Sequence, residues 1–329
     1  MAVAAILILF FHLWIPVFKY GTIWSQVERF ILGISYIGVD MFFFVSAYVL
    51  TLRPIEDFDG YKKFILNRSL KLLPLYIIAY VFGHFLWFIP AIWVTYILFT
   101  PYFRLAGKRP TLCFAIAMAI WALASAALLL FVNKGQDLGI YLMRIPSILL
   151  GSFWAAFDGK MSKMAKLISG LLLTAVGIFI SFNYGYMDKL DVPFKDTFYL
   201  TGIPLMLGIL MLIDFAAEFA RPRPLEPGLL EARLHEANPK TSGARLRPLD
   251  ARPLGANTKP SKARPRPLEL IGGISLELYF TQVVLGTLLV NTFFSLLSSR
   301  LLTNIATLSI TFIVSILINR SVALIEKQP

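Results

Sequence analysis

Long apolar runs, broken at short intervals by polar and basic residues, dominate the pattern of this chain. Segments such as 171–180 and 205–213 are apolar on nearly every side, which argues against the alternating strands of a membrane barrel and for helices. Runs of about 17–25 residues are long enough to cross a hydrocarbon core. Ten such runs lie at about 2–18, 36–52, 70–86, 88–103, 111–132, 139–157, 163–183, 197–220, 270–291 and 301–322. The expected fold is therefore all-α: a polytopic, multi-pass membrane protein with about ten transmembrane helices.

Composition agrees with the pattern. Of 329 residues, 57% are hydrophobic and 15% charged, and the mean hydropathy is +0.71. Ten helices use nearly all the apolar material and leave no room for a separate soluble enzyme domain of roughly 100–150 residues. The one cysteine, Cys113, cannot form a disulfide within the chain or build a cysteine-based zinc site. No phosphate-binding glycine loop, zinc-protease helix or Cys–His cluster occurs, so no metal site is expected.

A net charge of +12 would point to nucleic acid in a soluble protein, but here its distribution across the membrane matters more. With a cytoplasmic N-terminus, 24 of the 31 Lys and Arg residues fall on the cytoplasmic side and 7 on the other. The positive-inside rule then places both termini in the cytoplasm and makes membrane lipids, not nucleic acid, the partner of this charge. The first apolar run has no basic region before it and no small-residue cleavage site after it, so it reads as a retained helix.

Residues 221–269 interrupt the pattern. They are rich in Pro, Arg, Ala and Leu without a helical period, and the heptapeptide 220–226 recurs unchanged at 263–269. The expectation is a disordered, basic cytoplasmic linker produced by insertion or duplication. It divides the membrane domain into 1–220, with spans one to eight, and 270–329, with spans nine and ten.

Ionisable groups at mid-bilayer cost about 2.5–3.5 kcal/mol or more, so each is a functional candidate. His12 lies about ten residues into the first run, roughly 15 Å deep, and an imidazole suits proton transfer near neutral pH. A histidine satisfied by a neighbouring helix is the alternative. Asp40 and Glu277 are candidates to orient His12 or hold a cation, with helix pairing as the alternative for each. Arg68 and Lys71, three apart, share a helical face and form an anion site or a membrane anchor. Arg144 is a snorkelling residue or an anion ligand. Asp214 and Glu218 lie near the cytoplasmic end of span eight, where water or the basic loop would satisfy them.

These residues stand in a recognisable order. The run 4–12, ending on His12, resembles the first helix of the integral-membrane acyltransferase 3 family. Gly38-Val39-Asp40-Met41-Phe42-Phe43 with Ser46-Ala47-Tyr48 resembles its GVDLFF element, and residues 64–76 resemble its FxxRRxxRIxPxY element. Trp87-Phe88 with Pro90 and Tyr96, Arg144-Ile145-Pro146 with Leu150-Gly151, and Gly273-Ile274-Ser275 with Tyr279 are similar to its WFL, RxP and GxIS elements. The resemblance runs over all ten spans and leaves out 221–269.

The resemblance implies a membrane O-acyltransferase that moves an acyl group, acetyl above others, from cytoplasmic acetyl-CoA or another acyl-CoA to a hydroxyl of a cell-envelope glycan or related acceptor. No bound cofactor is implied, and the expected location is a bacterial inner membrane. His12 is then the catalytic base, with Asp40 beside it in catalysis. Arg68 and Lys71 would bind the acyl-CoA phosphates, while Ser46, Arg144, Glu277 and Tyr279 are further site candidates. Three positions depart from the family: Met1 where arginine is usual, Lys71 in place of the second arginine, and Gln282 where many members carry histidine. An inactive, degenerate member is the alternative reading, followed by a secondary transporter, which would show repeated halves that this chain lacks.

Overall fold

A computed structural model describes residues 2–81, 88–131, 141–157, 160–184, 198–220, 277–278, 281–282, 286–297 and 299–325. Its helices are α1 (Ala2–Leu13), α2 (Ile23–Ile34), α3 (Ile37–Leu52), α4 (Phe58–Val81), α5 (Phe88–Lys108) and α6 (Pro110–Phe131). The remainder are α7 (Ile145–Ala155), α8 (Lys163–Tyr184), α9 (Phe198–Ala220), α10 (Thr287–Leu297) and α11 (Arg300–Ile325). No strand occurs among the described residues, as expected.

Among the described residues, six helices are long and apolar enough to cross a membrane. They are Ile23–Leu52, Phe88–Lys108, Pro110–Ala127, Lys163–Ser181, Gly202–Phe219 and Arg300–Ser321. Ala2–Leu13, Ile145–Ala155 and Leu288–Leu297 are apolar but shorter. The linker 221–269 and its repeat lie outside the described residues.

Several boundaries differ from the sequence expectation. The first run ends as a helix at Leu13 instead of 18, because Pro16 has no N–H to continue the helix and the backbone N–H groups of Val17 and Phe18 bond to Glu28 instead. The second run is preceded by α2, which runs into α3 through the αR residues Ser35 and Tyr36. Residues 23–52 would thus extend roughly 45 Å, more than a hydrocarbon core is thick. The α2 helix is amphipathic in an inverted sense: Ser25 and Glu28 are buried, whereas Trp24, Val27 and Ile31 are exposed. The third run starts much earlier than 70, since the polar turns 58–69 are already helical.

The α3 helix is the centre of the bundle, packing against α1, α5, α7 and α9. A helix apolar all round belongs in such a position, and Phe43 and Ala47 are wholly buried there. Two glycines let its neighbours approach. A Cβ on Gly38 would lie 2.6 Å from the Ala4 carbonyl oxygen in α1, and one on Gly151 in α7 would run into the Phe44 backbone. Outside this centre, α8 packs along α9, and Lys166 Nζ pairs with Asp214 at 2.6 Å and with Glu218. Those two carboxylates are therefore met by Lys166 within the fold, not by solvent or the basic loop alone.

The outer faces are apolar. On α6, Leu112, Ile116, Ile120 and Leu123 are exposed at helical spacing, as are Leu171, Leu172 and Phe179 on α8. Stripes of this size are unfavourable in water and fit a lipid surround.

Candidate functional site

The Arg144-Ile145-Pro146 element of the sequence begins α7 in the structure. Pro146 stands in the first turn, where its missing N–H costs no helix bond, and Arg144 is the residue before the helix. Arg144 is 2% exposed, and its guanidinium forms a buried ion pair with Asp40 in the first turn of α3. The second Asp40 oxygen accepts a hydrogen bond from Ser147 Oγ at 2.9 Å. The Tyr36 ring lies 5.6 Å from the Arg144 guanidinium carbon and completes the enclosure. Both carboxylate oxygens are thus engaged, as a buried charge requires.

His12 occupies the last turn of α1 and is exposed, its ring edge-on to Phe11 at 5.1 Å. It makes no hydrogen bond to a described residue, and Asp40 does not touch it. Gly38 meets Ala4, Leu7 and Ile8 of α1, so α3 crosses α1 one to two turns before His12.

The segment between His12 and α2 is held tightly. Glu28 accepts Trp14 Nε1–H at 2.8 Å and Val17 N–H at 2.8 Å on one oxygen, and Phe18 N–H at 3.1 Å on the other. Asn304 of α11 brackets Ile15, accepting from its N–H at 2.9 Å and donating to its carbonyl at 2.8 Å. Glu28, Asn304 and Ser147 were not singled out by sequence reasoning. The inverted polar face of α2 is the signal that marks Glu28; nothing local marks the other two.

Arg68 is exposed on α4, its guanidinium carbon 5.5 Å from the Phe64 ring and 5.5 Å from the Tyr96 ring of α5. Lys71 stands three residues later in the same helix, and its side chain lies outside the described residues. Ser46 is buried in α3, roughly 9 Å along the helix from Asp40. Glu277 is buried and accepts from Asn319 Nδ2 at 2.8 Å. Tyr279 falls outside the described residues, as do His84 and His235. Gln282 is buried, with neither side-chain amide atom hydrogen-bonded. Among the described residues no group of three His, Cys, Asp or Glu side chains is arranged to hold a metal ion.

The structure therefore joins Asp40 and Arg144, places His12 on the adjoining helix, and sets Arg68 apart on the α4–α5 hairpin. A buried, fixed carboxylate–guanidinium pair positions helices and shapes a local field, whereas the His12 imidazole and the Arg68 guanidinium are exposed.

No curated protein and no solved structure matches the chain. Residues 2–86 match the family model of an acyltransferase domain, Acyl_transf_3. That stretch, about a quarter of the chain, spans α1 to α4 with His12, Asp40, Ser46, Arg68 and Lys71, and is similar to an acyltransferase domain.

Proposed function

We propose that the protein transfers an acyl group, acetyl above longer ones, from cytoplasmic acyl-CoA to a hydroxyl of a cell-envelope carbohydrate or related acceptor. The observation that carries this reading is the acyltransferase match over 2–86, which contains an exposed imidazole and an exposed guanidinium on separate helices.

In this reading His12 takes the proton of the acceptor hydroxyl as its oxygen attacks the thioester carbonyl. The tetrahedral centre collapses, the carbon–sulfur bond breaks, and the proton held by His12 returns to the leaving thiolate. The products are the O-acyl ester and free CoA. Arg68 and Lys71 hold the donor phosphates, Arg68 through a fork and Lys71 as a point charge. Asp40 acts through Arg144 and Ser147, fixing α7 to α3, and so is a positioning residue in this arrangement. Apolar surroundings limit access of water to the thioester.

The test is transfer of radiolabelled acetyl from acetyl-CoA into envelope material, by membranes holding the protein or its His12→Ala variant at equal abundance. Label that depends on His12 supports the reading and leads to the acceptor. Absence of label from folded protein favours the degenerate-member reading, to which Lys71 and Gln282 already point.

A further inference from the structure

At the end of the α4–α5 hairpin, on the side assigned to the cytoplasm by the charge count, an open cavity of about 680 Å³ lies between the α3–α4 connection and α5. Its size is within the roughly 300–1,000 Å³ usual for small-molecule sites. Aromatic rings form one wall: Phe58 and Tyr61 are stacked, with centroids 6.3 Å apart and planes 22° from parallel. The Tyr61 hydroxyl donates to the Ile97 carbonyl at 3.2 Å, which fixes its ring, while Phe58 remains 67% exposed. The opposite wall presents Arg104 and Lys108, one turn apart on α5 and both exposed. Among the described residues neither forms an ion pair.

We propose that this cavity binds the nucleotide end of the acyl-CoA donor, with adenine against Phe58 and the 3′-phosphate between Arg104 and Lys108. The inference rests on acyl-CoA being the donor. Three features support it.

An exposed aromatic on a stacked partner is a platform for a base, and Lys62 Nζ lies 4.5 Å from the Phe58 ring centroid as a second cation for the phosphates. Two acids also line the cavity. Asp57 is committed to the start of α4, its Oδ1 accepting Gly60 N–H at 2.7 Å, which leaves the Glu56 carboxylate to accept from an adenine amine or ribose hydroxyl. A wall mixing acids, cations and aromatic faces suits a nucleotide better than a bare lipid phosphate.

The row also continues toward Arg68. Tyr96, Thr100, Arg104 and Lys108 recur every fourth residue along α5 in a slowly winding row, the first two buried and the last two exposed, and Arg68 lies against the Tyr96 ring. From Lys108 to Tyr96 is roughly 18 Å of helix. A donor with phosphates at one end and its thioester on a long arm fits such a row, with the pyrophosphate nearer Arg68.

The experiment measures binding of acetyl-CoA and acetyl-dephospho-CoA to the full chain in phosphatidylcholine nanodiscs, for the native protein and the Arg104→Ala/Lys108→Ala variant. The native protein should prefer the 3′-phosphorylated donor by about tenfold, and the variant should bind both donors alike. Phe58→Ala should weaken both donors by a common factor. A variant that keeps the full preference overturns the assignment while leaving acyl-CoA as donor. If the native protein binds neither donor, the acyl-CoA reading itself fails. In nanodiscs containing phosphatidylglycerol, a variant that loses bound phosphatidylglycerol but keeps its donor affinities makes the cavity a headgroup site and overturns the proposal.

Discussion

Arg144 and Asp40, 104 residues apart in sequence, form a buried ion pair that ties the start of α7 to the first turn of the central helix α3. Ser147, one turn into α7, bonds to the same carboxylate, so the junction is held at two points. Removing one member of a buried pair strands the other charge. Arg144→Met should therefore destabilise the protein by about 3–5 kcal/mol. The double variant Asp40→Asn/Arg144→Met should recover part of that loss. Thermal unfolding of the four proteins in one detergent measures the coupling, and strictly additive losses would show that there is none.

Glu28 gathers three N–H donors from the segment after His12, including two from the backbone. Glu28→Gln keeps one acceptor oxygen and replaces the other by a donor that faces an N–H. Its effect should fall on placement of the His12 helix end. A drop in kcat of about tenfold is expected, comparable to one charge-assisted hydrogen bond, with little change in the acyl-CoA KM. Steady-state kinetics separate the two, and a change confined to KM would assign Glu28 to donor binding instead.

The glycines of the bundle offer a contrast in sign. Gly151→Ala forces a Cβ into the Phe44 backbone and should cost about 1–3 kcal/mol, as overpacking does. Gly33→Ala in α2 meets no atom within 4 Å and should be neutral or stabilise by up to about 1 kcal/mol through helix propensity. Unfolding midpoints of the two variants report the difference directly. Equal effects would mean that α3 and α7 can separate freely.

Arg68 is exposed on α4 and stands over Tyr96, away from the Asp40 junction. Replacing Arg68 and Lys71 together by alanine should raise the acyl-CoA KM by at least about tenfold, as loss of charged phosphate contacts would, and leave the acceptor KM near its original value. Initial rates with each substrate varied in turn decide it. An unchanged donor KM removes the phosphate role.

Helical class, apolar surroundings and the list of polar candidates were legible in the sequence because they depend on local composition and period. A run apolar on all sides can only be a buried or membrane helix, which holds for α3 and α6 alike. The motifs that resemble those of the acyltransferase 3 family are contiguous, so His12, Asp40 and Arg68 could each be placed on a helix from the sequence. Contiguity could not reveal that Asp40 belongs to Arg144, because a carboxylate in an apolar run gives no sign of which distant cation neutralises it. Pro16 marks locally that α1 must end near Leu13, since it has no N–H for the helix and disfavours helical geometry at Ile15. What the sequence could not show is how the segment after that end is anchored, with Glu28 accepting from Val17 and Phe18 and Asn304, from the far end of the chain, bracketing Ile15. Helix type is dictated by the surface each segment must hide from water or offer to lipid; the anchoring of helix ends and the choice of ion-pair partners depend on which polar groups the packed bundle brings within hydrogen-bonding distance.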